Sequence, residues 1–154
     1  VTAADTIRRE SLRSADGLET GGILLGHDTP ETISITVAGA PGPSAHRHRD
    51  YFLRDLAHAR ALGDEAWATD GSVWVGEWHT HPHGPSAPSD RDFTTYVSHL
   101  ANPDLHFARF VSLIVTPCPE HAWQHINLTG WIAADGKLTQ TAIEIARLDR
   151  EELE

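Results

Sequence analysis

A single cysteine among 154 residues excludes an internal disulfide, so the fold has to stand on its own core. Cations are also scarce, with 12 Lys and Arg against 22 Asp and Glu and a formal charge of −10. Nucleic acid needs a cationic face, and this balance argues against such a partner. No apolar run approaches the ~18 residues that would span a bilayer. The first residues lack the basic-then-apolar order of a signal peptide. No membrane association is expected, and a reducing cytoplasmic location is. What is present suits one domain over residues 1–154: a chain of this size buries roughly 68–70% of its unfolded surface, and no repeat or linker divides it.

Extended and helical patterns alternate along the chain. Residues 5 to about 15 read as a marginal amphipathic helix capped by Asp5, with Ile7 and Leu12 as its apolar contacts. Residues 21–27 are apolar on both faces and suit a central buried strand. After a turn, residues 32–38 alternate Ile33, Ile35 and Val37 against polar positions, as a half-buried neighbouring strand does. Residues 41–50, rich in Gly, Pro, His and Arg, read as a loop. Residues 53–69 place Leu53, Leu56, Ala57, Arg60, Ala61 and Trp67 at helical spacing, a crossover helix in which Gly63 costs about 1 kcal/mol without ending it. A strand over 72–81, a helix from 90 to about 100 and a strand over 110–115, closed by Pro117-Cys118-Pro119, come next. Strands over 123–132 and 138–146 pair through a turn at Asp135-Gly136, and residues 147–154 fray or form a short helix. This order predicts an α/β or α+β sandwich with the site at one edge of the sheet.

The stretch that carries chemistry is Gly76-Glu77-Trp78-His79-Thr80-His81-Pro82, followed by Ser89-Asp90-Arg91-Asp92. His79 and His81 project from the same face of one extended segment, their Cα atoms about 6.6 Å apart at ~3.3 Å per residue, close enough to converge on one ion. Pro82 ends that strand, and Ser89 reads as the N-cap of a helix with Asp92 in its first turn. Two neutral nitrogens and a carboxylate make a three-ligand zinc site, with the fourth tetrahedral position open to water as in a catalytic centre. Asp92 also completes a capping box with Ser89, and the two roles can coexist. Glu77 shares the face of the two histidines, so alternation makes it the first candidate for a general base. Trp78 faces the other way and would pack behind the site. His27, His46, His48 and His83 read as surface or loop residues. Cys118 lacks a His or Asp partner and is not a nucleophile.

His-Thr-His-Pro with a Ser eight residues after the second His and an Asp eleven after it resembles the signature of the JAMM (JAB1/MPN/Mov34) metallopeptidases. Leu18-Glu19-Thr20-Gly21-Gly22-Ile23-Leu24-Leu25-Gly26 is similar to the family's other landmark, a Glu just before a Gly-containing apolar strand. The resemblance implies an MPN/JAB-like mixed sheet, cytidine-deaminase-like, sandwiched between helices. It also implies one Zn²⁺ per chain on His79, His81 and Asp92, with Glu19 rather than Glu77 as base and a Ser89 hydroxyl steadying the oxyanion. The substrate implied is the peptide or isopeptide bond after the C-terminal Gly of a ubiquitin-like protein or its conjugate, its tail added beside the active-site strand. The Glu-Thr-Gly-Gly and Gly-Glu-Trp-His-Thr-His-Pro stretches look most like bacterial members, some encoded beside E1- and E2-like enzymes in antiphage operons.

Three other functions stay open on sequence. The same residues would serve the processing of a sulfur-carrier protein. A metallo-β-lactamase-like enzyme wants His-x-His-x-Asp-His, and position 83 is His where that Asp belongs. A non-catalytic MPN-type interaction module would need none of the five site residues.

Overall fold

A computed structural model of the chain describes residues 1–146, so the expectation for 147–154 lies outside the described residues. Helix α1 (Ala3–Ser11) and a single 3-10 segment (Leu12–Asp16) precede strands β1 (Gly21–Asp28) and β2 (Ile33–Ala38). A small hairpin, β3 (His46–Arg47) and β4 (Phe52–Leu53), leads into helix α2 (Leu56–Asp70). Strand β5 (Val73–Thr80), helix α3 (Asp90–Ala101), β6 (Phe110–Cys118), β7 (Ala122–Ala134) and β8 (Lys137–Thr141) complete the order. The main sheet runs β2-β1-β5-β6-β7-β8 and is mixed: β5 and β6 are parallel, joined across α3, and the other pairs are antiparallel. Among the described residues no helix is long and apolar enough to cross a membrane.

The sheet has helices on both faces. On one, Ile7 of α1 joins Leu24, Val75, Trp78, Val111 and Val115 in the main cluster. On the other, Ile23 and Leu25 meet Ala66 of α2, and Tyr96 of α3 packs with Phe110 and Ala133. Strand β1 therefore has buried residues facing both ways, as its unbroken Gly-Gly-Ile-Leu-Leu run leads one to expect. Its glycines allow close approach: a Cβ at Gly21 would collide with the Trp78 carbonyl and lie 2.8 Å from His79 Cβ. The type of hairpin turn read at Asp135-Gly136 is present, with φ of 51° and 70° at the two residues.

Several expectations need correction. The cap of α1 is Thr2: its hydroxyl accepts from the Asp5 N–H, while Asp5 Oδ2 accepts from the Thr2 N–H, so Asp5 closes a capping box instead of starting the helix. Leu12 sits in the 3-10 segment and is 50% exposed. Asp55 caps α2, so Leu53 falls in β4, and the buried face is Ala59, Leu62 and Ala66 instead of the Leu56–Trp67 stripe. Trp67 is 65% exposed, whereas Trp78 is fully buried behind the site, its Nε1 donating to the Gly39 carbonyl. Residues 41–50 do not form a plain loop, because they carry the first strand of the hairpin. Strand β6 runs through Pro117 with a register shift beside Cys118, and β8 stops at Thr141.

The site is not on a lateral edge of the sheet. It lies at the end of β5, an interior strand. A register shift opposite Leu24 and Leu25 leaves Val75 without a partner on β1, so Val75 and Trp78 share the α1 side while Trp74 packs with α2. Alternation from Gly76 onward then turns Glu77 and His79 to the α2 and α3 side.

Candidate metal centre

Two strands and a helix terminus build the site. The end of β5 is fixed to the segment before β1, because Thr80 N–H donates to the Thr20 carbonyl at 2.8 Å and Thr20 N–H to Thr80 Oγ1 at 2.9 Å. His81 N–H donates to Val115 O of β6 at 2.8 Å, so both histidines stand on paired backbone. Pro82 turns the chain out, and Ser89, in extended conformation at the N-cap, starts α3. The Ser89 hydroxyl accepts from Asp92 N–H at 3.1 Å, and Asp92 Oδ2 accepts from Ser89 N–H at 2.8 Å. This capping box aims the same Oδ2 at the two imidazoles.

The three donor atoms form a compact triangle. His79 Nε2 and His81 Nε2 are 3.0 Å apart, and Asp92 Oδ2 lies 3.1 Å from the first and 3.3 Å from the second. Ligands at about 2.0–2.1 Å from a tetrahedral ion stand roughly 3.3–3.4 Å from one another, so the triangle is nearly one face of such a coordination shell. His79, His81 and Asp92 could hold a metal ion. The outward nitrogens are oriented from behind. His81 Nδ1 lies 2.8 Å from the Pro85 carbonyl, which makes Nδ1 the donor and leaves Nε2 free to ligate. His79 Nδ1 faces Glu77 Oε1 at 3.5 Å, and Arg54, just after β4, holds the other Glu77 oxygen while stacking 5.3 Å from the Trp74 ring centroid.

The electrostatics call for a cation. Burial opposes charge on His79, yet hydrogen bonding to Asp92 and Glu77 outweighs it and raises the imidazole to about 10. Burial likewise opposes charge on Asp92, but the two imidazoles and the Ser89 N–H hold it well below the usual carboxylate range. Glu19, 6% exposed, reaches to 3.9 Å from His81 Nε2, and burial pushes its carboxyl up to about 7 despite the nearby imidazoles. It lines a cleft with Arg49, Asp50, Pro82, Pro85 and Ser89.

All five residues singled out in the sequence thus come together, and Glu77 comes too, but behind His79 and already engaged by Arg54. It does not line the cleft that Glu19 and Ser89 line. His83 and Cys118 take no part, although His83 borders the cleft. Arg54 has no signal in the sequence, since its partner is 23 residues away. Strand β5 also offers no free edge for an incoming tail: His79 is paired with Gly21 of β1 and with Ile114 of β6.

A mixed sheet with a His-x-His pair ending an interior strand and an Asp in the next helix's first turn defines a JAB-type domain. The chain belongs to the prokaryotic homologues of the JAB domain, whose family model matches residues 3–127. It is 36% identical over 100 residues to a CD-NTase/cGAS isopeptidase of Enterobacter hormaechei, covering 63% of this chain and 54% of that protein. A protein of the same description from Escherichia coli is 33% identical over 81 residues, covering 51% and 52% of the two chains. The chain spans about half the length of the curated relatives it matches. The solution structure of a Desulfitobacterium hafniense protein superposes with a TM-score of 0.64 at 16% identity, over 97% of this chain and 92% of the other, a likeness of fold.

Proposed function

We propose that the chain is a zinc-dependent isopeptidase that hydrolyses the bond after the C-terminal Gly of a ubiquitin-like protein or its conjugate. The observation that carries this reading is the near-tetrahedral triangle of His79, His81 and Asp92 with the buried carboxylate of Glu19 beside it. One zinc ion per chain, bound there, would lower the pKa of a water towards about 7 and polarise the scissile carbonyl. Glu19 takes the proton of the attacking water and returns it to the leaving amine, a task suited to a buried carboxylate 3.9 Å from His81 Nε2 on the cleft side of the donor triangle. The Ser89 oxygen already accepts the Asp92 N–H, so its own proton is free to donate to the oxyanion. A side-chain-free Gly-Gly tail fits the cleft between the β3–β4 hairpin and the 82–89 loop better than the fully paired β5. The isopeptidase names of the relatives support the reaction class. An isopeptidase name also favours a conjugate over a sulfur-carrier precursor, and E1- and E2-like enzymes are the partners that would make such a conjugate. In this reading residues 1–154 act as one cytoplasmic catalytic domain.

The test is hydrolysis of a ubiquitin-like protein joined through its C-terminal Gly to a lysine side chain. Cleavage should stop when the metal is stripped by a chelator and return on adding one equivalent of zinc; cleavage that survives complete stripping overturns the proposal. A second expectation concerns Glu77. If it holds His79 by its Nδ1, Glu77→Gln should weaken zinc retention by roughly 10–100-fold in competition with a chromophoric chelator. Undiminished affinity would mean that packing alone orients the ring.

A further inference from the structure

We infer that Arg47, on the β3–β4 hairpin, is a positioning residue for Glu19; the inference rests on Glu19 being the proton carrier proposed above. Glu19 precedes β1, and its backbone is held by the hairpin instead of by the sheet. Its N–H donates to the His48 carbonyl at 2.8 Å, and its carbonyl accepts from Arg47 Nε at 3.1 Å. The same guanidinium forks onto Asp16, with Nη1 at 2.8 Å from Oδ2 and Nη2 at 3.1 Å from Oδ1, and Nη2 also donates to the Leu18 carbonyl at 3.2 Å. Asp16 in turn accepts from the Leu18 N–H at 3.0 Å. One planar fork therefore fixes residues 16, 18 and 19 together, with its side chain only 20% exposed. A lysine could meet Asp16 as a point charge but could not span the three acceptors at once.

Ser14 Oγ donates to the Leu18 carbonyl at 2.8 Å and lies 2.7 Å from Thr80 Oγ1, so Leu18 is held a second time, whereas the Glu19 carbonyl takes its side-chain hydrogen bond from Arg47. Thr20 is anchored to Thr80, so the residue after the base is tied to the metal-bearing strand, while the residues before it turn through Gly17 at φ 81°. The Glu19 carboxylate sits 3.9 Å from His81 Nε2 at the end of that anchored hinge. Without the fork the Glu19 carbonyl loses its side-chain partner, and the Glu19–Thr20 peptide can tilt and move the carboxylate while the donor triangle stays intact. A displacement of about 1 Å at a reacting group can cost 10²-fold in rate. The ion pair with Asp16, half exposed on its acidic side, contributes little to stability by itself, so the guanidinium's principal effect is geometric.

The experiment compares wild type, Arg47→Ala, Arg47→Lys, Glu19→Gln and the Arg47→Ala/Glu19→Gln double variant, all loaded with zinc. Arg47→Ala should keep its zinc, and its cobalt-substituted form should keep the wild-type d–d spectrum. Its kcat should fall by roughly 10–100-fold with KM little changed, and its Glu19 amide should lose protection against hydrogen exchange while the β5 amides keep theirs. Arg47→Lys should fall between it and the wild type, and it provides the reading if the alanine variant does not fold. In the Glu19→Gln background the Arg47→Ala change should cost nothing more, because no base remains to be misplaced. A wild-type kcat in Arg47→Ala, loss of its zinc, or an undiminished Arg47 effect in the double variant would overturn the inference. A fully active Glu19→Gln would instead overturn the assignment of Glu19 itself.

Discussion

Replacing Glu19 with glutamine is expected to lower turnover by about 10³-fold, in the middle of the range for losing a general acid–base, with one zinc still bound. Glutamine keeps the shape and the hydrogen-bonding capacity of a side chain that is 6% exposed, so the cleft should not collapse. Metal retention should survive because Glu19 is outside the donor triangle, 3.9 Å from the nearer imidazole nitrogen. The same burial makes a prediction about stability with a sign. The Glu19 carboxyl is raised from an ordinary value of 4.5 to about 7 in the fold, so the native state binds the proton more tightly than the unfolded chain does. Metal-free wild type should therefore lose stability as pH rises from about 4.5 to 7, and Glu19→Gln should lose less over that window. Urea unfolding of the stripped proteins at the two pH values measures this directly, and zinc content with a single-turnover assay measures the rest. A buried acid that weakens the fold when ionised, yet is needed for turnover, is what a proton carrier looks like energetically. If Glu19→Gln turns over like the wild type, Glu77 is a poor substitute, since its carboxylate is committed to Arg54 and His79.

The donor set was legible because strand periodicity and helix capping are local. His79 and His81 needed only two-residue alternation, and Asp92 needed only a Ser-initiated helix. The same locality explains what was missed. Alternation alone puts Glu77 on the catalytic face and cannot tell the cleft side of a histidine from its back; that depends on Arg54, brought in from another element. Nor does alternation over the strand read at 72–81 foresee the register shift that leaves Val75 without a partner on β1 and turns it to the opposite face. The hairpin at 46–53 was invisible for the same reason: its pairs are two residues long, and its hold on the site runs through Arg47 to residues 28 to 31 positions away. The exposed Leu56 and Trp67 of α2 show that apolar spacing identifies a helix without identifying its buried face when small residues do the packing.

Asp92→Ala, set beside Ser89→Ala, separates a metal ligand from a helix cap. Both changes break the capping box at the start of α3, since each residue's side chain serves the other's N–H. Each should therefore cost α3 about 1 kcal/mol, the usual worth of such a cap. They should part on metal. Losing the carboxylate takes away one corner of the triangle and its only anionic donor, leaving two imidazoles 3.0 Å apart. Zinc affinity should then drop by well over the roughly 10–100-fold expected of a change in the supporting residues, and turnover with it. Ser89→Ala should bind zinc as tightly as the wild type while losing turnover by about 10²–10³-fold through the missing oxyanion donor. Thermal unfolding with zinc reads the contrast without any substrate. A ligand at 100 times its Kd adds about 2.7 kcal/mol to stability, so wild type and Ser89→Ala should shift upward together and Asp92→Ala should stay where it was. Equal shifts in all three would reduce Asp92 to a capping residue, and the metal, if any, would rest on the histidines alone.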